Sequence, residues 1–318
     1  MSIDVLRAGL FAVAQAAAFL LVAPLLHSLV KKMKAGLQLR QGPPLLQGHY
    51  DLAKLLRKQP VRSTAASWVF VAGPRVYFAT ALTATLLVPA LRPWAPLESA
   101  GGILVLVGLL ALGRFALALA ALDTGSPFGG MGASREMTIA SLAEPAMLMA
   151  IFTISLGSQT TSLAQVVRSV QGGDHLLLRP SFAFAILAFV LIALAETGRI
   201  PVDNPATHLE LTMIHEAMVL EYSGRHLALV EWAGMMKLAL FAYLGIAAFF
   251  PWGIAASRDL RALGLAFAAM VLKLAAIGCG IVLIETGLAK MRIFRLTEFL
   301  GAAFLMATLG MLSFFILE

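Results

Sequence analysis

The stretch from Ala195 to Gly224 is the one long polar passage in the downstream half of a very apolar chain. It carries Arg199, two histidines and five acidic side chains, which are Glu196, Asp203, Glu210, Glu216 and Glu221. Carboxylates and imidazoles beside apolar runs can pass protons or hold a charged partner. The alternative interpretation is a solvated loop between two membrane spans.

The spacing within this stretch predicts a helix. Thr207 and Glu210 have the spacing of a capping box, so we expect a helix from there to about Tyr222 that ends near Gly224. Glu210 and Glu221 would share one face of it. The two histidines would lie on the opposite face about 10 Å apart, too far for one metal ion. The carboxylates and the imidazoles are therefore expected to meet different partners.

The elements around this passage are predicted to be membrane helices. Of the 318 residues, 60% are hydrophobic and 13% are charged, about half the charged fraction of soluble domains. Several uncharged runs reach the length that crosses a bilayer as a helix. Alternation at period two is absent, which argues against a barrel. We predict an all-α, polytopic membrane protein with a single membrane domain over residues 1–318.

About eight transmembrane helices are expected, with polar loops between them. They lie near residues 5–30, 68–91, 99–122, 137–158, 179–197, 231–254, 261–285 and 299–317. The loops on one side carry fourteen basic residues and those on the other side carry five. The positive-inside rule places the fourteen in the cytoplasm, so both termini are expected outside. With the basic residues in loops, the net charge of +7 is not a nucleic-acid signal.

Two loops on the basic side have patterns of their own. Loop 31–67 contains LLQGHYDLAKLLRK after Gly42-Pro43-Pro44, which suits a cytoplasmic amphipathic helix on the membrane surface; an ordinary basic loop is the alternative. Loop 123–136 has four glycines and one proline. We expect this loop to be non-helical, either as a linker or as a surface where another backbone approaches closely.

Ionisable residues inside the predicted spans are the next candidates for chemistry. Arg114 and Glu144 lie at similar depth on consecutive antiparallel spans, so we expect them to pair, as a structural ion pair or as a station on a proton path. Lys237 and Lys273 are further buried positive candidates, and Lys273 is expected near mid-membrane. The single cysteine, Cys279, cannot form a multi-cysteine metal site, so a redox metal is expected in another subunit.

Three segments carry a family resemblance over essentially the whole chain. They are RQGPP (40–44) with DLAKLL (51–56), GASR (132–135) with Glu144, and Ala195-Glu196, Arg199, Pro201, Asp203 and Glu210 with EYSG (221–224). They resemble the membrane subunit that respiratory complex I, where it helps to form the quinone cavity, shares with the membrane-bound nickel–iron (NiFe) hydrogenases. SPFGGMGASRE (126–136) and the long interval from Glu210 to EYSG resemble the hydrogenase branch of group 4, that of formate hydrogenlyase and hydrogenase-4.

This resemblance implies a membrane-anchoring, proton-coupling subunit without a redox centre or bound cofactor of its own. The implied partners are the hydrogenase large and small subunits, an iron–sulfur subunit and antiporter-like membrane subunits, and these partners would contain the NiFe centre and the iron–sulfur clusters. No nucleic acid is among the implied partners. The implied location is a bacterial or archaeal inner membrane. Proton-path candidates are Glu144, Glu196, Asp203, Glu210 and Glu221, with Arg114, Lys237 and Lys273; docking candidates are Arg40, Asp51, Arg135 and Arg199.

Two other functions remain open from the sequence. One is the quinone-site membrane subunit of a complex I type NADH-quinone oxidoreductase, which requires an open apolar channel beside loop 31–67. The other is a secondary ion transporter, against which stands the lack of an internal repeat in the sequence.

Overall fold

A computed structural model describes residues 2–90, 94–98, 101–171, 179–203, 213–253 and 260–317. Over these ranges the chain forms α-helices without strands, which confirms the predicted all-α class. The helices are α1 (Ser2–Leu37), α2 (Gln47–Arg57), α3 (Trp68–Leu87), α4 (Ile103–Asp123), α5 (Pro127–Ser158), α6 (Leu163–Gln171), α7 (Pro180–Glu196), α8 (His215–Val219), α9 (Gly224–Phe249), α10 (Leu260–Gly287) and α11 (Ile293–Leu317).

Seven of the described helices are long and apolar enough to cross a membrane: α1, α3, α4, α5, α9, α10 and α11. The remaining predicted span corresponds to α7, which is apolar but has only 17 residues. At about 1.5 Å per residue, α7 is roughly 26 Å long, slightly less than a bilayer core. It packs against α5 and α11. The chain is thus a multi-pass membrane protein.

The prediction that loop 123–136 is non-helical was wrong for most of its length, because α5 begins at Pro127. A proline fits the first helical position, where its fixed φ is compatible and its missing N–H would have had no partner. The glycines permit close packing instead of breaking the helix. A Cβ on Gly132 would lie 2.9 Å from Ala217 Cβ and 3.0 Å from Ile214 O, so α8 approaches α5 here.

The predicted helix from Thr207 to Tyr222 also needs correction. Residues 204–212 lie outside the described part, and beyond them only His215–Val219 is helical. Gly224 does not end that helix but begins α9, seven residues before the predicted span start. Gly224 has φ +54, and a Cβ there would lie 2.6 Å from Gln59 O. The close contact with loop 31–67 therefore requires glycine at this position.

Helix α2 forms as the amphipathic pattern predicts and lies against α1 and α9. Leu52 is buried whereas Tyr50 is 60% exposed. The Gly48 N–H donates to Ser28 Oγ at 3.0 Å, which fixes the start of α2 on α1. Loop 31–67 is thereby attached to the membrane bundle.

Helix α1 contains Pro24, which cannot donate a backbone hydrogen bond to Leu20 O. Trp232 Nε1 of α9 donates to that carbonyl at 3.1 Å. His49 Nε2 lies 3.1 Å from the next carbonyl, Leu21 O. Side chains from α2 and α9 thus occupy carbonyls at the irregular turn of α1. The largely buried α9 packs against α1, α2 and α3, whereas α10 packs mainly against α1.

Candidate functional site

A polar cavity of about 110 Å³ lies among α1, α3, α5, α7, α9 and the segment that follows α7. We call it the polar cavity. Its ionisable and polar lining side chains are His27, Tyr77, Glu136, Glu196, Thr197, Arg199, Asp203, His215, Glu216, Glu231 and Lys237.

The end of α7 positions two of these side chains. Gly198 has φ +58, which lets its N–H donate to Ala195 O at 3.1 Å and the Arg199 N–H donate to Leu194 O at 3.0 Å. This pattern of two bonds around a left-handed glycine is the Schellman motif. It ends α7 immediately after Glu196 and reverses the chain, so that Glu196 and Arg199 both face the cavity.

Arg114 of α4 is the centre of a buried ion-pair network. Its Nη1 donates to Glu144 Oε1 at 2.7 Å, and its Nη2 donates to Glu196 Oε2. Lys237 Nζ lies 2.9 Å from the same Glu196 oxygen. Arg114 Nε is 3.5 Å from Glu136 Oε1. The predicted pairing of Arg114 with Glu144 is confirmed, and the structure adds Glu196 and Lys237 to it.

This network holds two cations and three carboxylates, so its formal charge is negative when every group is ionised. The side chains of Arg114 and Glu196 are almost fully buried, whereas that of Glu144 is 33% exposed. Removing charges from water is expensive unless each is paired and hydrogen-bonded. With one more carboxylate than cations, the network becomes electrically neutral when one of its three carboxylates binds a proton.

A second network connects the chain after α7 to α1 and α10. Arg199 Nη1 donates to Glu285 Oε1 at 3.0 Å, and Lys34 Nζ donates to Glu285 Oε2 at 2.6 Å. Arg199 Nη2 lies 3.4 Å from His27 Nδ1. Glu285 is thus held between two cations. Arg199 was predicted to dock a partner, but its burial by these contacts removes it from the surface.

Asp203 forms the third charged contact at the cavity. Lys290 Nζ lies 2.7 Å from Asp203 Oδ1. The backbone N–H groups of Ile214 and His215 donate to Asp203 Oδ2 at 3.3 and 3.4 Å. One carboxylate therefore joins the segment after α7, the start of α8 and the loop between α10 and α11.

Two of the remaining proton-path candidates, Glu221 and Lys273, lie away from these networks. Glu210 lies outside the described residues. Glu221 is exposed. Lys273 lies midway along α10, and it donates to Phe250 O at 2.6 Å and to Trp252 O. Its bonds hold the carbonyls at the end of α9, away from the cavity.

The three other docking candidates differ in exposure. Arg40 and Asp51 are exposed, and Asp51 accepts a hydrogen bond from Gln47 at 2.8 Å. Arg135 Nη1 instead donates to Met213 O at 2.8 Å. Arg135 therefore supports the turn into α8, whereas Arg40 and Asp51 remain available on the surface.

Tyr222, in the EYSG segment, has a structural position next to Glu221. Its hydroxyl donates to Phe70 O at 3.1 Å, and its ring stacks on that of Phe70 at 4.2 Å between centroids. Burial raises the pKa of the Tyr222 hydroxyl above its ordinary value. The group remains a neutral hydrogen-bond donor that fixes this segment to α3.

Several lining residues were missed by the sequence argument. Glu136 stood just before the predicted start of its span, so the wrong helix boundary hid it. Glu285 and Glu231 lie at the ends of predicted spans, where a carboxylate gives no distinct signal. In the structure Glu231 lines the cavity, and Glu285, outside the lining, is buried and paired. His27 lies in an apolar helix, and its polar surroundings become visible only when the fold places Arg199 beside it. Within the described ranges, no group of three or more His, Cys, Asp or Glu residues is placed to hold a metal ion.

Comparison with known proteins gives a family. The family model described as NADH dehydrogenase matches residues 10–316. Hydrogenase-4 component C of Escherichia coli (strain K12) is 32% identical over 301 residues, which cover 95% of this chain and 94% of that protein. Formate hydrogenlyase subunit 4 of the same strain is 31% identical over 306 residues, covering 96% and 98%.

A more distant relative and one solved structure extend the comparison. A subunit of the NADH-quinone oxidoreductase of Koribacter versatilis (strain Ellin345) is 31% identical over 216 residues, covering 63% of this chain and 50% of that protein. A chain in the structure of the membrane-bound sulfane sulfur reductase, an archaeal respiratory membrane complex, superposes with a TM-score of 0.85 at 19% identity, covering 96% and 99%. That likeness shows the fold. This chain therefore belongs to the NADH dehydrogenase family and is similar along nearly its whole length to hydrogenase-4 component C and formate hydrogenlyase subunit 4.

Proposed function

We propose that this chain is the membrane-anchoring and proton-coupling subunit of a group 4 membrane-bound NiFe hydrogenase of the formate hydrogenlyase or hydrogenase-4 type. The names of the two Escherichia coli relatives, and their similarity over nearly the whole chain, support the assignment to this kind of complex. The hydrogenase large and small subunits and an iron–sulfur subunit would hold the NiFe centre and the clusters. Antiporter-like subunits would lie beside the chain in the bacterial or archaeal inner membrane.

The observation that carries the proton-coupling role is the polar cavity with the Arg114 network at its side. Buried ionisable groups within membrane helices are costly and mark proton or ion paths. At about 30 Å³ per water, a polar cavity of about 110 Å³ suits a few waters with charged partners. Ligand pockets for small molecules begin near 300 Å³. The cavity's size thus favours proton transfer over binding of a ring-sized substrate.

Docking of the hydrophilic arm is assigned to the basic side. Exposed Arg40, Asp51 and the polar face of α2 lie there, beside the chain that Gly224 holds against Gln59. Under the positive-inside rule this side is cytoplasmic and both termini are outside. Glu221, exposed on the same side, is assigned to docking together with these residues. Single cysteines at Ser63 and Ser223 in a Cys279→Ala background should resist an impermeant thiol reagent applied outside.

The test is Glu196→Gln in the assembled complex. The substitution keeps the side chain's shape but removes the charge that faces Arg114 and Lys237. We expect the complex to assemble with its full nickel and iron content while proton movement across proteoliposome membranes falls about a hundredfold or more, the lower end of general acid–base contributions. Glu298→Gln, which changes an exposed carboxylate of α11, is the matched control. Normal proton movement in Glu196→Gln would reject the assignment.

The complex I alternative has one observation in its favour. An apolar groove of about 410 Å³ reaches Leu45 of loop 31–67, where a quinone channel was expected. The groove shares no lining residue with the polar cavity. Nickel in the chains that co-purify supports the hydrogenase, whereas a flavin-containing NADH dehydrogenase arm would support the alternative.

A further inference from the structure

The apolar groove between α1 and α10 has no role in the proposed function. Its wall on α1 consists of residues three or four apart from Phe11 to Leu29, and its other wall includes Phe267, Met270 and Leu274 of α10. The eighteen helical rises from Phe11 to Leu29 span about 27 Å, close to the thickness of a bilayer core. The groove is therefore long and narrow for its volume of about 410 Å³.

One end of the groove is closed by aromatic and amide groups. Gln15 lines it and donates through Nε2 to Thr85 O at 2.8 Å and to Val88 O at 2.9 Å, at the end of α3. The ring of Phe11 lies 4.2 Å from that of Trp94. Tryptophan is enriched at membrane–water interfaces, so this end lies near the interface opposite the basic side.

The other end of the groove is basic. Leu25 and Leu29 line it, and Lys32 follows on the same helix face, since it is seven and three residues further along. The chain then folds back: the Arg40 N–H donates to Ala35 O at 2.8 Å. A Cβ on Gly42 would lie 2.9 Å from Lys32 Cα. This turn keeps Arg40 at the end of α1 that carries Lys32, and both side chains are exposed.

We propose that the groove binds one acyl chain of an anionic phospholipid, whose phosphate is held by Lys32 and Arg40. The apolar walls lie along membrane-crossing helices, where hydrocarbon chains are the available occupants. Basic residues at a membrane surface attract anionic headgroups by about 1 kcal/mol each. The positive-inside rule puts this mouth at the cytoplasmic leaflet. The inference concerns residues outside the polar cavity. It shares Arg40 with the proposed docking surface, so its tests change Lys32 and the groove wall and measure lipid retention by the isolated chain.

Native mass spectrometry of the purified full-length chain, stripped of lipid and then given one lipid at a time, tests the headgroup. Phosphatidylglycerol should be retained about tenfold or more better than phosphatidylcholine with the same acyl chains, as two cations at about 1 kcal/mol each predict. Lys32→Gln should reduce that preference about fivefold. Lys54→Gln, on the exposed face of α2, should leave it unchanged. Equal retention of the two lipids by the unsubstituted chain would overturn the proposal.

A groove-filling pair tests the acyl chain. Ala18 lines the groove and is exposed, whereas Ala17 is exposed but does not line it. Ala18→Trp should lower phosphatidylglycerol retention about tenfold, and Ala17→Trp should not. Circular dichroism and the melting temperature establish that each variant folds; Ala14→Phe, at another exposed lining position, replaces Ala18→Trp if it does not. Unchanged retention in a folded groove-filling variant rejects the site, and displacement of phosphatidylglycerol by decylubiquinone would identify a quinone site instead.

Discussion

The polar cavity and the apolar groove lie on different faces of α1 and are built in opposite ways. His27 faces the cavity, where most of the charged side chains have a charged partner. Leu25 and Leu29 face the groove, whose charges stand only at its mouth. Two residues of separation on one helix thus divide a paired ionic interior from a lipid-compatible surface. The face of the helix on which a residue lies, more than its depth in the bilayer, determines whether its surroundings are ionic or apolar.

The same contrast appears in the helices behind each region. The cavity is backed by α9, which is buried from Met235 to Phe249 with Gly245 as its one partly exposed residue. The groove is backed by α10, most of which faces away from the bundle. Substitutions that remove a cation from the network beside the cavity should therefore affect folding strongly, and those at the groove should affect ligand retention with little effect on stability.

The largest expected effect is that of Arg114→Gln. It leaves Glu196 buried with one cation and removes the partner of Glu144, and breaking a buried ion pair from one side costs about 3–5 kcal/mol. The measurement is the denaturant or thermal stability of the purified subunit. Lys32→Gln at the groove mouth is the control and should stay within about 0.5 kcal/mol. Equal losses in the two variants would remove the contrast between the regions.

A second substitution should partly restore that loss. Glu196→Gln combined with Arg114→Gln removes the buried carboxylate that would otherwise lack its guanidinium. Contacting residues in one network couple by about 0.5–3 kcal/mol. The double variant should therefore be more stable than Arg114→Gln alone. Arg114→Gln with Glu144→Gln should recover less, because Glu144 is partly exposed. Strict additivity in both cycles would contradict the network.

Glu285→Gln tests the contact that joins the two regions, since Glu285 of α10 binds both Arg199 and Lys34. Hydrogen bonds to charged groups contribute about 1.5–3 kcal/mol, and the partly exposed Lys34 places the expected loss at the lower end. Stability of Glu285→Gln compared with Glu298→Gln gives the answer. A loss as large as that of Arg114→Gln would show that the second network is the more important one.

The smallest expected effect on stability is that of Glu221→Gln. An exposed side chain outside both networks should change the free energy of unfolding by less than about 0.5 kcal/mol. Its docking role is tested separately by the amount of hydrophilic arm retained on washed membranes. Loss of the arm with unchanged stability supports docking. Retention of the arm together with loss of proton movement would return Glu221 to the proton path.

The helices and part of the candidate site could be predicted from the sequence. Apolar run length locates spans well because a bilayer fixes the length of a helix. Arg114 and Glu144 could be paired because consecutive spans are antiparallel neighbours and depth follows from counting residues. Glu196 and Lys237, which join the same network, were each identified as candidates but were not predicted to meet Arg114. Their convergence depends on how α7 and α9 pack, which no local pattern contains.

Local patterns failed where tertiary contacts override them. The glycines before Ala133 suggested an irregular loop, but Gly132 serves the close contact of α5 with α8. Gly224 suggested a helix end, yet its positive φ is used at the start of α9, against Gln59. Arg199 resembled a surface docking residue because its partner Glu285 is 86 positions away. Such contacts require the fold before they can be predicted.

The position of Arg114 in the chain has a consequence for how the protein enters the membrane. Every carboxylate within its network, at positions 136, 144 and 196, is synthesised after it. A lone arginine in a membrane helix adds about 2.5–3.5 kcal/mol to the free energy of insertion. We expect a chain truncated after Asp123 to place α4 across the membrane less completely than one truncated after Ser158, as glycosylation-site mapping would measure. The ion pair of the finished site would then also make α4 and α5 a hairpin that enters the bilayer together.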